Sequence, residues 1–162
     1  LCVQGSSWNI ASNSIHFLYL YFWLMDKYQK EIKIDLSINS VYQTKRKGFY
    51  DFNGIIKIYQ KKKLIIKLIS NKNNIKRSPV ITKIKSDKEI YLINESNNKY
   101  YFKNKLIIHD NNFFQSRLTG KVVKNLIDNG STLLPTLKKT YYLQKTLLQV
   151  FKIKFSKYSK IT

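Results

Sequence analysis

The chain has 162 residues, of which 30 are Lys or Arg and 9 are Asp or Glu, so its formal net charge is +21 at pH 7. With 43% hydrophobic and 14% aromatic residues it can bury a core, which excludes disorder throughout. The single cysteine, Cys2, excludes an internal disulfide framework and a zinc site built from several thiolates of this chain. So much like charge repels itself within a fold, and it favours a polyanionic partner over simple solubilisation.

The first third of the chain predicts an arm, an apolar helix, a strand and a second helix. Residues 1–13 are weakly patterned and predict an extended arm. Residues 15–25 are uncharged, but this run is shorter than the ~20 residues that a bilayer requires, so we expect a buried or partner-covered helix and no membrane span. Residues 31–36 alternate like a strand, and residues 37–47 predict a helix that ends in basic residues before Gly48.

The middle of the chain predicts β-hairpins. Two β-rich runs, residues 55–59 and 64–69, flank a short basic turn, and this arrangement is typical of an antiparallel pair. Four more short strands are predicted downstream, within residues 80–85, 89–93, 100–102 and 106–108.

The end of the chain predicts a helix that runs into a basic strand or arm. Residues 136–151 predict the helix, and residues 151–155, which alternate strictly, predict the strand. Four apolar side chains fall approximately on one face of that helix: Leu137, Tyr141, Leu148 and Phe151.

These elements together predict an α+β fold, small and two-lobed, with antiparallel β-hairpins and a few helices. No internal repeat and no long linker is visible in the sequence. We expect an N-terminal extension with the apolar helix (1–29), an N-terminal α/β lobe (30–79), a mostly β C-terminal lobe (80–126) and a C-terminal helical, basic extension (127–162).

Sequence signatures of catalysis are missing from the chain. It has no phosphate-binding loop, dinucleotide fingerprint, zinc-protease histidine pair, nucleophile elbow or zinc-finger spacing, so we expect no enzyme, no cofactor and no metal site. The basic runs instead favour polyanion binding. The two densest runs are Lys45, Arg46 and Lys47, and Lys61, Lys62 and Lys63.

Several stretches follow one another in the order of the motifs of one known family. They are a Gly-Phe-Tyr step at 48–50, an aliphatic strand at 64–68, a strand introduced by Pro at 79–84, an Ile-Tyr-Leu strand at 90–92, an aliphatic strand at 106–108 and a Thr-Gly-Lys-Val-Val ending at 119–123. In this order and spacing, residues 30–123 resemble the small-ribosomal-subunit protein eight family of the bacterial and organellar type. Two elements depart from the family pattern: its Ser-Lys-Pro-Gly turn is replaced by residues 85–88, and its Ser-Thr-Ser-x-Gly loop, the main rRNA-contacting element, by residues 109–112.

The resemblance implies a protein that binds folded rRNA through phosphate and shape contacts. Besides the two basic runs, we expect RNA contacts at the positions of the two altered elements and at the polar residues around them: Lys83, Lys85, Ser86, Lys88, His109, Asn111, Asn112, Arg117 and Lys121.

The sequence therefore favours a structural constituent of an organellar small ribosomal subunit, bound to ribosomal RNA and neighbouring ribosomal proteins, with no small-molecule substrate. Its abundant Ile, Lys, Asn and Tyr share A- and T-rich codons and indicate an organellar or otherwise AT-rich genome, with a mitochondrion favoured over a plastid. A nuclease or maturase fragment is the alternative, and a peripheral membrane subunit held by residues 15–25 is a third possibility. The nuclease would need metal-binding carboxylates from among Asp87, Glu89, Glu95 and Asp110.

Overall fold

Within the residues that the structure describes, one mixed β-sheet of eight strands, accompanied by three helices, forms the framework and confirms the predicted α+β class. A computed structural model describes residues 1–25, 31–72, 80–94, 99–103, 105–108, 115–131 and 134–156. The elements are β1 (Cys2–Ser6), α1 (Ile10–Leu24), β2 (Lys33–Gln43), β3 (Tyr50–Gln60), β4 (Lys63–Asn71), β5 (Ile81–Lys85), β6 (Ile90–Asn94), β7 (Lys99–Phe102), β8 (Lys105–Ile108), α2 (Gln115–Asn129) and α3 (Leu137–Lys154).

The first strand lies in the middle of the sheet. The strand order is β2-β3-β4-β1-β5-β6-β7-β8, and every neighbouring pair is antiparallel except β1 and β4, which are parallel. Val3 of β1 is fully buried and is paired with Leu68 on one side and Thr82 on the other. β1 therefore joins the β2–β4 meander to the β5–β8 meander in one continuous sheet. The predicted four-segment division of the chain stays a prediction.

Helices α1 and α3 cover one face of the β2–β4 half of the sheet and close the core there. Phe52 of β3 is fully buried, and its ring lies 6.1 Å from that of Phe151 and 5.2 Å from that of Phe155. Burying side chains of this size contributes ~1.5–3 kcal/mol each. The other buried apolar side chains of this core include Ile34, Ile56, Ile58, Ile66 and Leu68 from the sheet, Ile10, Leu18 and Phe22 from α1, and Leu143 and Leu147 from α3.

A buried aspartate fixes the start of α1 against the sheet. Asn9, at the N-cap position, makes no side-chain cap hydrogen bond. The carboxylate of Asp51, which is fully buried at the start of β3, instead accepts hydrogen bonds from the backbone N–H groups of Ala11 at 3.0 Å and Ser12 at 3.4 Å. A negative charge at this end of a helix also complements the helix dipole.

The predicted helix over residues 37–47 is wrong, because this segment belongs to strand β2 and the turn that follows it. The alternation of Ile34, Leu36 and Ile38 continues the strand, which pairs with β3 through Gln43 after a bulge near Asn39. The basic run and Gly48, which has a φ of 81°, form the β2–β3 turn. The basic run and Gly48 therefore do mark a turn, but this turn follows a strand and not a helix.

Three other expectations about secondary structure are also wrong. Residues 1–13 hold the central strand β1 and the start of α1 where an extended arm was expected. Residues 151–154 are the last turn of α3, because Phe151 and Phe155 face the same core as i and i+4 positions of a helix. Residues 115–126, which were assigned to a mostly β lobe, belong to helix α2.

The predicted apolar face of α3 is only partly right. Phe151 is buried, but the other buried positions are Thr140, Leu143 and Leu147. The three remaining predicted residues are exposed on the outer surface of the helix: Leu137, Tyr141 and Leu148.

The hairpins and the apolar helix are confirmed. β3–β4, β5–β6 and β7–β8 are antiparallel pairs, and β2 contains the alternating residues 33–36. The apolar run lies in α1, which contributes Leu18 and Phe22 to the core. Among the helices that the structure describes, none combines the length and the apolar character needed to cross a bilayer.

We predict that Gly54→Ala destabilises the protein by about 1–3 kcal/mol, because overpacking a close contact forces the backbone to shift. A Cβ atom at Gly54 would collide with the backbone oxygen of Ser37 and lie 3.1 Å from the Cα of Ile38, beside the β2 bulge. Gly120→Ala in α2 is the control, since no atom lies within 4 Å of its Cβ position, and it should stabilise the helix by ~0.5–1 kcal/mol. Equal urea midpoints for the two variants would contradict this view of the bulge.

Candidate nucleic-acid interface

A row of lysines crosses the sheet on the face opposite α1 and α3. Strand pairing places Lys57 of β3 opposite Lys67 of β4, Lys67 beside Cys2 of β1, and Cys2 opposite Lys83 of β5. Paired residues share a face of a sheet, and neighbouring strands lie ~4.8 Å apart, so the row extends over about 14 Å. We call Lys57, Lys67 and Lys83 the lysine row, and the face that carries it the open face.

More lysines flank the row on the same face. Lys33 lies two residues before Asp35 on β2, and Asp35 is paired with Lys57. Lys85 lies two residues after Lys83 on β5, and Lys99 of β7 lies in the cross-strand line of Ile81, two residues before Lys83. Lys33 makes an ion pair with Asp35 at 3.3 Å, and both side chains are exposed. An ion pair as exposed as this one contributes little, so it offsets only a small part of the repulsion among the lysines.

The lysines are energetically unfavourable to one another. Like charges directly opposite on neighbouring strands cost roughly 0.2–1 kcal/mol per pair. Lys57 and Lys67 are such a pair and are only partly exposed, so water screens their repulsion less than it would for fully exposed groups. A polyanion laid across the open face would remove this cost and gain the attraction instead.

Aromatic and aliphatic side chains lie between the lysines. In the register of the lysine row, Lys83 is followed across the sheet by Leu92, Tyr101 and Leu106. Tyr101 is therefore on the open face. Tyr100 and Phe102 are on the other face, where the Phe102 ring stacks on Tyr91 at 4.9 Å.

The structure brings seven of the predicted RNA-contact residues to one region. The β3–β4 turn and the β5–β6 turn lie at the same end of the sheet, which we call the 61–62 end. Ser86 is already engaged there, because its hydroxyl accepts a hydrogen bond from the Glu89 N–H at 3.0 Å and helps to close the turn. The residues brought together at this end or on the adjoining open face are Lys61, Lys62, Lys63, Lys83, Lys85, Ser86 and Lys88.

The β3–β4 turn holds two lysines in an unusual backbone conformation. Lys61 and Lys62 have φ values of 45° and 65°, and they connect Gln60 directly to its paired residue Lys63. A two-residue hairpin turn with positive φ at both positions normally carries Asn-Gly, because other residues are strained there. The turn thus presents two charges at the expense of stability, a pattern that is typical of functional sites.

The other basic run is at the opposite end of the sheet. Lys45, Arg46 and Lys47 are exposed in the β2–β3 turn, and the Arg46 guanidinium lies 4.2 Å from the centre of the Phe49 ring. The strand length of β3 separates this run from the 61–62 end, so one short RNA segment cannot contact both runs through the same few phosphates.

The remaining predicted contacts belong to α2 or lie outside the described residues. Lys121 is exposed on α2, which makes no extensive contact with the sheet in the described part of the chain. Arg117 also belongs to α2, and its side chain is not described. His109, Asn111 and Asn112 lie outside the described residues.

The carboxylates that a nuclease would need either belong to the β5–β6 turn or lie outside the described residues. Glu89 accepts a hydrogen bond from the Tyr91 hydroxyl and pairs with Lys103 at 3.2 Å. Asp87 is in the same turn, whereas Glu95 and Asp110 lie outside the described residues. Within the residues that the structure describes, no three His, Cys, Asp or Glu side chains come close enough together to hold a metal ion.

The chain matches no protein-family model, and it is not significantly similar to any curated protein or any solved structure compared with it. The functional assignment therefore depends on the charge and geometry of the open face.

We predict that the double change Lys61→Asn and Lys62→Gly stabilises the protein by about 1–2 kcal/mol, because it relieves the left-handed strain of the β3–β4 turn. The control Lys61→Gln with Lys62→Gln removes the same two charges but keeps the strain. Urea unfolding should place the Asn-Gly variant well above the Gln-Gln variant. Indistinguishable midpoints would show that the turn conformation has no energetic cost.

We predict that Glu89 contributes stability that disappears in acid. The hydrogen bond from Tyr91, and then Lys103, lower the pKa of Glu89 below its ordinary value of 4.5. Because the folded-state pKa is below the unfolded-state pKa, the contribution is fully present above the unfolded value and is lost as the pH falls through the folded value. The stability difference between the unmodified protein and Glu89→Gln should therefore shrink below about pH 4.5. Parallel stability curves for the two proteins would contradict the prediction.

Proposed function

We propose that this protein is a structural RNA-binding protein whose open face lies against the sugar-phosphate backbone of a folded RNA. The observation that carries the proposal is the lysine row, in which Lys57, Lys67 and Lys83 lie in one cross-strand line, with Cys2 between the last two, on a sheet face that no described helix covers. A net charge of +21 supports it, because so large an excess attracts a polyanion from every direction.

The binding mechanism would be phosphate neutralisation and recognition of shape. Each lysine ammonium is a point charge that can approach phosphate oxygens without the fixed geometry of a guanidinium. In A-form RNA the major-groove base edges are inaccessible, so a flat basic surface would read the spacing of the phosphates and the 2′-hydroxyls. The role is structural and involves no chemical step.

We further propose that the RNA is ribosomal RNA of an organellar small subunit, in a mitochondrion in preference to a plastid. The charge, the size and the organellar composition of the chain support this assignment, as does the order of the strands at 64–68 and 90–92 in the family resemblance. Two stretches add no support to the resemblance, since residues 37–43, where a helix was expected before Gly48, belong to β2, and residues 119–123 lie in α2.

Neighbouring ribosomal proteins would contact the exposed apolar residues of the two C-terminal helices. Ile127 of α2 and Ile153 of α3 have 76% and 73% of their surface exposed, which is unusual for isoleucine. Leu126 of α2 and Leu148 of α3 are also exposed.

We predict that changing Lys57, Lys67 and Lys83 together to Gln weakens binding to a labelled A-form RNA hairpin and lowers its salt dependence. Three lost phosphate contacts should reduce the slope of log K against log salt by roughly 2–3. The control changes three exposed lysines on the outer surface of α3, Lys138, Lys145 and Lys152, to Gln. Equal losses for the two triple variants would show that net charge alone, and not the lysine row, determines binding.

The ribosomal assignment has its own test. The protein, tagged in mitochondria or plastids, should sediment with the small ribosomal subunit in a sucrose gradient and move to lighter fractions after ribonuclease treatment. Sedimentation apart from the subunit would contradict the ribosomal assignment, while the RNA-binding proposal would still rest on the hairpin measurement.

A further inference from the structure

A cleft of about 640 Å³ opens at the 61–62 end of the sheet. It is bounded by the start of β2, the β3–β4 turn and Tyr142 of α3, so three separate elements shape it. The volume is within the range of ~300–1,000 Å³ that small-molecule sites occupy. Of the residues that line it, only Lys61 and Lys62 were expected from the sequence to contact RNA.

The lining of the cleft combines three kinds of chemistry. Lys33, Lys61 and Lys62 supply ammonium groups, while Tyr59 and Tyr142 supply aromatic rings. Two carboxylates, from Glu31 and Asp35, complete the lining. Ammonium groups bind phosphate, aromatic rings stack on bases, and carboxylates accept hydrogen bonds from base amino groups and ribose hydroxyls.

The carboxylates distinguish this cleft from the rest of the basic surface. A site that bound only phosphates would be weakened by Glu31 and Asp35, because like charges repel at short range. The same two groups are useful when the ligand also presents hydrogen-bond donors. A nucleotide meets all these requirements together, because it carries a phosphate, a flat base and donor groups.

Several of these side chains are already positioned. The Lys33 ammonium is held by Asp35 at 3.3 Å and lies 6.0 Å from the centre of the Tyr59 ring. The left-handed backbone of Lys61 and Lys62 keeps both side chains at the rim of the cleft. Tyr142 has 40% of its surface exposed, so part of its ring is accessible to a base. Groups that are held in place before binding lose less entropy on binding.

We propose that the cleft binds a single unpaired nucleotide, with an amino-bearing base such as cytosine, that protrudes from the RNA duplex lying on the lysine row. The inference rests on the proposed RNA-binding function and adds a specific ligand to it. Lys33 and Lys57 are both next to Asp35 in the sheet, so a duplex on the open face would bring a protruding nucleotide within reach of the cleft. The cleft would fix the register of an RNA that the lysine row holds by charge alone.

The test compares two labelled RNA hairpins that are identical except for one unpaired cytosine in the stem of the second. The unmodified protein should bind the bulged hairpin about tenfold more tightly, which is the expected worth of one stacked base. Tyr59→Leu with Tyr142→Leu keeps apolar bulk and every charge, so it should abolish that preference and leave affinity for the paired hairpin unchanged. Tyr142→Leu alone, on an exposed helix position, should lose part of the preference and provides a variant whose folding is secure.

A second comparison tests the carboxylates. Replacing the bulged cytosine by uracil removes the amino group and should reduce the preference severalfold for the unmodified protein, and by less for Glu31→Leu, whose side chain has no hydrogen-bond acceptor. If the unmodified protein binds paired and bulged hairpins equally while the lysine-row variant loses both, the cleft proposal is overturned and RNA binding stands. If the unmodified protein binds neither hairpin, both proposals are overturned.

Discussion

The mutual repulsion of the lysine row is the physical constraint on which the account of this protein depends. Hydrogen bonding between strands fixes Lys57 beside Lys67 and places Lys83 two strands further on, with Cys2 between them, so their backbone positions cannot separate without breaking the sheet. The fold therefore holds a charge arrangement that is unfavourable in the isolated protein. An arrangement of this kind is favourable in a complex with a polyanion, where each ammonium replaces a counterion on a phosphate.

The architecture separates the stabilising side of the sheet from the binding side. The apolar positions of β2, β3 and β4 face α1 and α3, so the core is complete without any contribution from the open face. Asp51 ties α1 to β3 through the helix N-terminus, and Val3 joins the two meanders in the middle of the sheet. Because Asp51 and Val3 both lie on the side of the sheet that the helices cover, replacing lysines of the open face by uncharged residues should have little effect on the core.

The sequence predicted the elements that depend on local patterns and missed those that depend on pairing. Alternation and turn residues were enough to identify the β3–β4 hairpin, but they did not show that residues 1–6 fill the centre of the sheet, because that position follows only from the parallel contact with β4. The lysine row could not be predicted from the sequence for a related reason. With a two-residue turn at Lys61 and Lys62, regular pairing would place Lys57 opposite Ile66. The bulge near Ile65 shifts the register by one residue, puts Lys67 there and decides which face it occupies.

The most direct measurement of the central claim is the free energy of unfolding as a function of sodium chloride concentration, without RNA. If repulsion within the lysine row is a real cost, the stability of the unmodified protein rises with salt. The variant in which Lys57, Lys67 and Lys83 are Gln should then be more stable at low salt and depend less on salt than the matched variant at Lys138, Lys145 and Lys152. Identical salt dependence of the two variants would contradict the account.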